Sequence, residues 1–324
     1  MKTLFRGLLV AGLSAWGCAA LAQVDIRFGH VGEPNSLYDI TAQEFAKNVN
    51  ARLAGKAKVT LYGSSQLGGD KEMMQKMKLG TMELSLPSTV MSSEADVFGL
   101  FEMPYLVKDR KHLAKIEKEI VIPKMYPAAE AKGLKVLAMW ENGYRHITNN
   151  KLPIRTPADL QGLKLRVPEG KWRVKMFQAY GANPSPMKFS ELFTALSTGV
   201  MDAQENPLPQ IFSAKLYEVQ KYLSLSGHVY APVYLTTGSK KWATLPADVR
   251  KVIEEEAIKA QAFCYATADR LDKEWLDKMK AAGLQVNEVD KDAFIKASGP
   301  IYAEFGKEVA GAQEMIDRAI ALGK

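Results

Sequence analysis

From Pro246 to Ala282 the sequence has no glycine and no further proline. As one helix, at about 1.5 Å per residue, this stretch spans roughly 55 Å. That is wider than a single compact domain of ordinary size. Such a helix needs two bodies to lie against, and a chain of 324 residues has the length for two. An apolar share of 47% and a charged share of 24% give each body material for a core and exclude a disordered chain.

Ahead of this stretch, strand and helix patterns alternate. Val24 to Gly29 reads as a strand, and Tyr38, Ala42, Phe45, Val49 and Leu53 mark one face of a helix. Lys58 to Tyr62 is the next strand. Asp70 is placed to cap a helix that turns Met73, Met74 and Met77 inward and ends at Gly80. Leu84 to Leu86 and Leu134 to Trp140 are further strands. A second block repeats the pattern: Thr156 and Pro157 open a turn, Leu163 to Val167 is a strand, Lys171 to Tyr180 a helix, and Ser190 caps another. Tyr222 to Gly238 is β-prone throughout and long enough to return the chain to the first body. The tail adds a strand at Leu284 to Val289 and a final helix after Pro300. Alternation of this kind predicts an α/β fold with mostly parallel sheets.

The first 22 residues read as a cleaved secretory signal: a basic start at Lys2 and Arg6, an apolar run from Leu8 to Ala20, and the small-x-small site Ala20-Leu21-Ala22. Of 43 basic and 36 acidic residues, the leader holds Lys2 and Arg6, so its removal lowers the net charge from +7 to +5. Cys18 leaves too. The remaining Cys264 has no partner for an intrachain disulfide and sits in a helical pattern that suits a buried thiol.

Common signatures of hydrolases, nucleotide binding and dinucleotide binding are absent from the sequence. The four histidines lack metal-ligand spacing, so neither catalytic residue, metal nor cofactor is expected. Basic residues do not interleave with aromatics as a nucleic-acid surface requires. One arginine stands out. In Gly162-Leu163-Lys164-Leu165-Arg166-Val167-Pro168, Arg166 falls at the C-terminal end of a strand, where open α/β sheets bind ligands. A guanidinium there suits a carboxylate through paired hydrogen bonds, with a structural ion pair as the competing reading.

Several motifs follow one another in an order that resembles the substrate-binding proteins of tripartite ATP-independent periplasmic (TRAP) transporters, in the branch that binds C4-dicarboxylates and sialic acid. They are Ser64-Ser65-Gln66-Leu67-Gly68, the Gly162 to Pro168 strand, Gly181 to Met187, Phe189-Ser190-Glu191-Leu192 and Asp202 to Leu208. The resemblance implies a two-lobed periplasmic binding protein fold of the class II type, with a long helix bridging both lobes. The corresponding division is residues 23–142 with 232–270 for the first lobe, and 143–231 with 271–324 for the second. It also implies an organic-acid ligand and a membrane permease as partner. By this resemblance Arg166 holds the ligand carboxylate, Arg145 of Asn142-Gly143-Tyr144-Arg145 assists, Asn206 bonds the acid end and Phe189 packs on the ligand.

Val31 and the Pro87-Ser88-Thr89-Val90 segment stand where sialic-acid binders carry polar and charged groups, which argues against a nine-carbon sugar acid. A uronate or other sugar acid, or a C4-dicarboxylate, fits better. His30, Glu33, Gln66, Ser88 and Thr89 are the polar candidates of the first lobe. Trp172 and Arg173, just after Arg166, and Tyr234 at the hinge are further candidates for a ring or a second anionic contact. A binding protein serving an ATP-driven importer and an exported enzyme acting on small acids are the competing readings.

Overall fold

The computed structural model describes residues 23–324; the expected leader, 1–22, with Cys18, lies outside the described residues. Among the described residues nine strands form one continuous sheet: β1 Val24–Gly29, β2 Ala57–Tyr62, β3 Leu84–Ser85, β4 Leu134–Asn149, β5 Lys164–Val167, β6 Asn183–Pro186, β7 Ala203–Pro207, β8 Tyr222–Gly238 and β9 Gln285–Glu288. Their order is β2-β1-β3-β8-β4-β7-β5-β6, with β9 beside β8. β1, β2 and β3 are parallel to one another, as are β5, β6 and β7. Two parallel half-sheets, one per lobe, are thus joined through the antiparallel pair β4 and β8.

Those two strands are almost wholly buried along their length, which explains their apolar and β-branched composition. β4 runs well past Trp140, so Arg145 lies within the strand that crosses between lobes rather than after it. The crossing is irregular. Register shifts between Glu141 and Gly143, opposite Pro232 and Ala231, and again between Arg145 and Ile147. Pro232 can offer no backbone N–H, so it sits where the ladder is already broken. Gly143 adopts φ 122°, a conformation that other residues resist.

The long helix spans Ala247–Ala281. Near its start Arg52 of the Leu37–Arg52 helix donates to Glu255 and Glu256 at 2.6 and 2.7 Å, and Trp140 Nε1 donates to the Ala257 carbonyl at 2.9 Å. Toward its other end Trp275 packs on Phe212 of the second lobe. Cys264 is buried midway, its thiol against the Glu141 carbonyl at 3.6 Å, and burial pushes that thiol up to about 12.

Three local expectations change. The helix Asp70–Leu79 is capped by Gly69, whose N–H donates to Glu72 in the first turn, so Asp70 is the first helical residue and its carboxylate is free of capping. The helix Phe189–Ser197 begins before Ser190. The tail after Pro300 forms two helices, Gly299–Glu308 and Ala312–Leu322, because Gly311 takes a left-handed conformation between them.

Candidate ligand-binding site

β5 is flanked by β6 and β7, which brings Arg166 opposite Ser185 and Gln204. Its side chain is 3% exposed. Nε and Nη2 both donate to the Met187 carbonyl, at 2.9 and 2.6 Å, which fixes the guanidinium plane. Among the described residues no carboxylate lies within ion-pair distance of it. Burial pushes Arg166 down to about 10, and the nearby Arg145 charge adds to the shift. Glu205, Asp70 and Glu169 oppose that shift only from a distance; a buried cation without an ion-pair partner is costly, and an arriving anion relieves that cost.

The free side of Arg166 faces a narrow cavity of about 40 Å³ between the lobes. That is far below the roughly 300–1,000 Å³ of ligand sites, so an acid enters only as the lobes part. Arg145, Asn206 and Phe189 share its wall with Arg166, and Ser88 and Thr89 close it from the first lobe. The Phe189 ring lies 5.9 Å from the guanidinium, within cation–π range. Ser88 Oγ donates to the Pro232 carbonyl at 2.6 Å, tying the cavity wall to the hinge. Two ion pairs join the lobes at the mouth: Lys188 with Glu72 at 2.6 Å, and Lys71 with Glu169 at 3.7 Å.

Arg145 is differently placed. Its Nε donates to Glu205 at 2.5 Å, and Nη2 donates to the same carboxylate at 2.8 Å and to Asn206 Oδ1 at 3.1 Å. Glu205 also receives Arg173 at 2.5 Å and His228 at 3.2 Å, and Arg173 reaches Glu102 at 2.8 Å. Burial pushes the Glu205 carboxyl up, but Arg145 and Arg173 override it and hold that group well below the usual carboxylate range. Asn206 Nδ2 donates to Gln204 at 2.5 Å, so its amide is bonded at both ends. Two arginines and two glutamates thus neutralise one another directly behind the cavity.

Residues 28–308 match bacterial extracellular solute-binding protein family 7. The chain belongs to this family. It is 34% identical over 301 residues to the 2,3-diketo-L-gulonate-binding periplasmic protein YiaO of Escherichia coli K12, covering 92% of each chain. A TRAP periplasmic solute-binding protein of a Polaromonas species, solved with D-erythronate, superposes with a TM-score of 0.88 at 36% identity over 92% of this chain and 99% of that one. One from Sulfurospirillum deleyianum, solved with succinate, also gives 0.88, at 31% identity over 93% and 100%. The chain is therefore a TRAP-type solute-binding protein with the two-lobed fold.

In this solute-binding protein, six of the expected residues share the cavity wall: Arg166, Arg145, Asn206, Phe189, Ser88 and Thr89. The others lie elsewhere. His30 is buried beside the wall, 3.9 Å from Asp39, and burial pushes it down to about 4. Glu33 accepts from Ser64 Oγ at the outer rim, and Gln66 is exposed. Trp172 is wholly buried edge-on to Phe305, because its helix turns it into the core, and Arg173 is committed to the ion-pair network rather than to the cavity. Tyr234 packs edge-on to Phe98 behind Ser88 and Thr89. Asp70, Asn142 and Gln210 also line the cavity. Sequence reasoning missed them as contacts: an aspartate before a helical run reads as a cap, and the Pro-Leu-Pro-Gln segment carries no chemical signature.

Proposed function

We propose that the protein is exported with loss of residues 1–22 and captures a small organic acid in the periplasm, Arg166 docking its carboxylate between the lobes. Arg145 and Asn206 turn toward the acid end the N–H groups that their own network leaves free, Phe189 covers it, and the loaded protein delivers the acid unchanged to the membrane permease of a TRAP transporter. The observation that carries this reading is the buried Arg166 guanidinium, which among the described residues makes no ion pair. A ligand carboxylate supplies the missing charge, and exclusion of water by lobe closure strengthens the pairing. Closure then distinguishes the loaded form for the permease, since a ligand shifts a two-state equilibrium only by its differential affinity.

Calorimetry with a panel of sugar acids and C4-dicarboxylates tests this. At 100 times its dissociation constant a true ligand adds about 2.7 kcal/mol of stability. Arg166→Ala is expected to remove about 2–5 kcal/mol of binding free energy while the protein stays folded. Unchanged affinity in that variant rejects the role of Arg166. Recovery of the acid in altered form after long incubation rejects transport in favour of catalysis.

A further inference from the structure

Three polar atoms of residues in the cavity wall are buried without a hydrogen-bond partner: Asp70 Oδ1, Thr89 Oγ1 and Gln210 Oε1. Gln210 Nε2 is turned toward Asn142 Oδ1 at 3.4 Å, so its oxygen is the end left open. An ionised aspartate and an amide oxygen can only accept, and a threonine hydroxyl can accept as well. The cavity therefore has a cationic end, at Arg166, and a wall whose three unpartnered atoms can all accept, while N–H donors of Asn142, Arg145 and Asn206 already hold protein acceptors. A ligand carboxylate satisfies the first. The remainder of the ligand must bring O–H groups to the second, because every buried acceptor left unmatched costs free energy. A second carboxylate brings only more acceptors, and a negative charge to face Asp70.

We propose that this acceptor wall, with Asp70 foremost, selects an acid bearing one carboxylate and several hydroxyls over an unsubstituted dicarboxylate. The inference rests on Arg166 being the carboxylate clamp and makes a choice that family membership leaves open, since solved relatives were crystallised with succinate as well as with D-erythronate. The charged and titratable groups around Asp70 are Arg166 and Glu169 from the β5 end, Arg145 from β4 and Tyr38 from the Leu37–Arg52 helix. Lys71 and Glu72 on its own helix are engaged by Glu169 and Lys188. Burial pushes the Asp70 carboxyl up to about 7 against the pull of Arg166, so its charge changes within an accessible range. Protonation weakens its acceptance from a hydroxyl by turning one oxygen into a donor, and removes its repulsion of a second carboxylate.

The test compares D-erythronate and D-galactonate with succinate by calorimetry on the wild-type protein and on Asp70→Asn and Arg166→Ala. At about pH 8 the better hydroxylated acid is expected to bind about tenfold or more tighter than succinate. Lowering the pH to about 6.5, where succinate is still a dianion, is expected to narrow that ratio from both sides as Asp70 protonates. Asp70→Asn keeps the side-chain volume but adds donors. It is expected to bring the ratio near unity and to abolish its pH dependence, with an unchanged far-ultraviolet spectrum reporting a folded protein. Succinate binding wild type as tightly as either hydroxylated acid overturns the inference, as does a ratio that Asp70→Asn leaves intact. If those acids still depend on Arg166, the clamp survives and only the selectivity claim fails. If no acid binds the folded wild-type protein, the clamp fails and the selectivity claim falls with it.

Discussion

Arg145 and Arg166 border the same cavity and are both buried, yet their surroundings are opposite. Arg145 is clasped by Glu205 and belongs to a cluster whose charges cancel. Arg166 leans on one backbone carbonyl and makes no ion pair, with Glu205, Asp70 and Glu169 acting on it only from beyond contact distance. The first arrangement resists exchange, because each member already holds its best partner. The second is incomplete until something anionic arrives. Charge satisfied behind the cavity and unsatisfied within it makes a rigid floor beneath a receptive site.

The contrast is open to direct attack. The largest effect is expected from Glu205→Gln, which leaves Arg145 and Arg173 buried with too little counter-charge. Loss of about 3–5 kcal/mol of folding stability in denaturant titration is the expected result. Arg166→Ala, without ligand in the same titration, is expected to cost nothing or to stabilise, and an equal loss in both variants erases the distinction. The pH dependence carries opposite signs. Glu205 titrates below its unfolded value, so its contribution is full above about pH 4.3 and declines as the pH falls below that.

Asp70 titrates above its unfolded value, so its favourable contribution is present below about pH 4 and lost as the pH rises through about 7. Unliganded Asp70→Asn is therefore expected to exceed wild type by on the order of 1–2 kcal/mol at about pH 8, after allowance for solvent at the cavity mouth, and to match it near pH 4. Equal stability at both pH values in thermal melts removes the strain assigned to Asp70. The smallest effect belongs to the rim. Lys188→Ala is expected to speed ligand release about two- to threefold in stopped flow at low salt, with the difference vanishing at about 1 M salt. A salt-independent change assigns that contact to packing instead.

The helix–strand alternation and the bracing helix were legible in the sequence because periodicity and the absence of breakers act locally. Tyr222–Gly238 is bounded in the structure as its composition predicts, and the long helix runs close to its expected limits. Arg166 stood out locally as a charge at the end of an apolar strand, but local sequence left an ion pair equally open, and only the resemblance singled out a carboxylate-holding role. The places of Trp172, Tyr234 and His30 were not legible, because a side chain one position along a helix or strand points elsewhere and composition is blind to that phase. Asp70 was misread for a related reason: the Gly69 N–H finds Glu72, and that bond frees the aspartate to face the cavity. Nothing within a few residues distinguishes the two arrangements.

The burial of Cys264 has a practical consequence. The thiol lies under the long helix with its acidity suppressed, so thiolate-directed reagents that reach the surface pass it by. With residues 1–22 removed, as proposed, the chain behaves toward such reagents as if it had no cysteine. Probes attached through cysteines introduced at Gln66 and Phe193, on the two lobes, can therefore follow the separation of the lobes in the otherwise native protein.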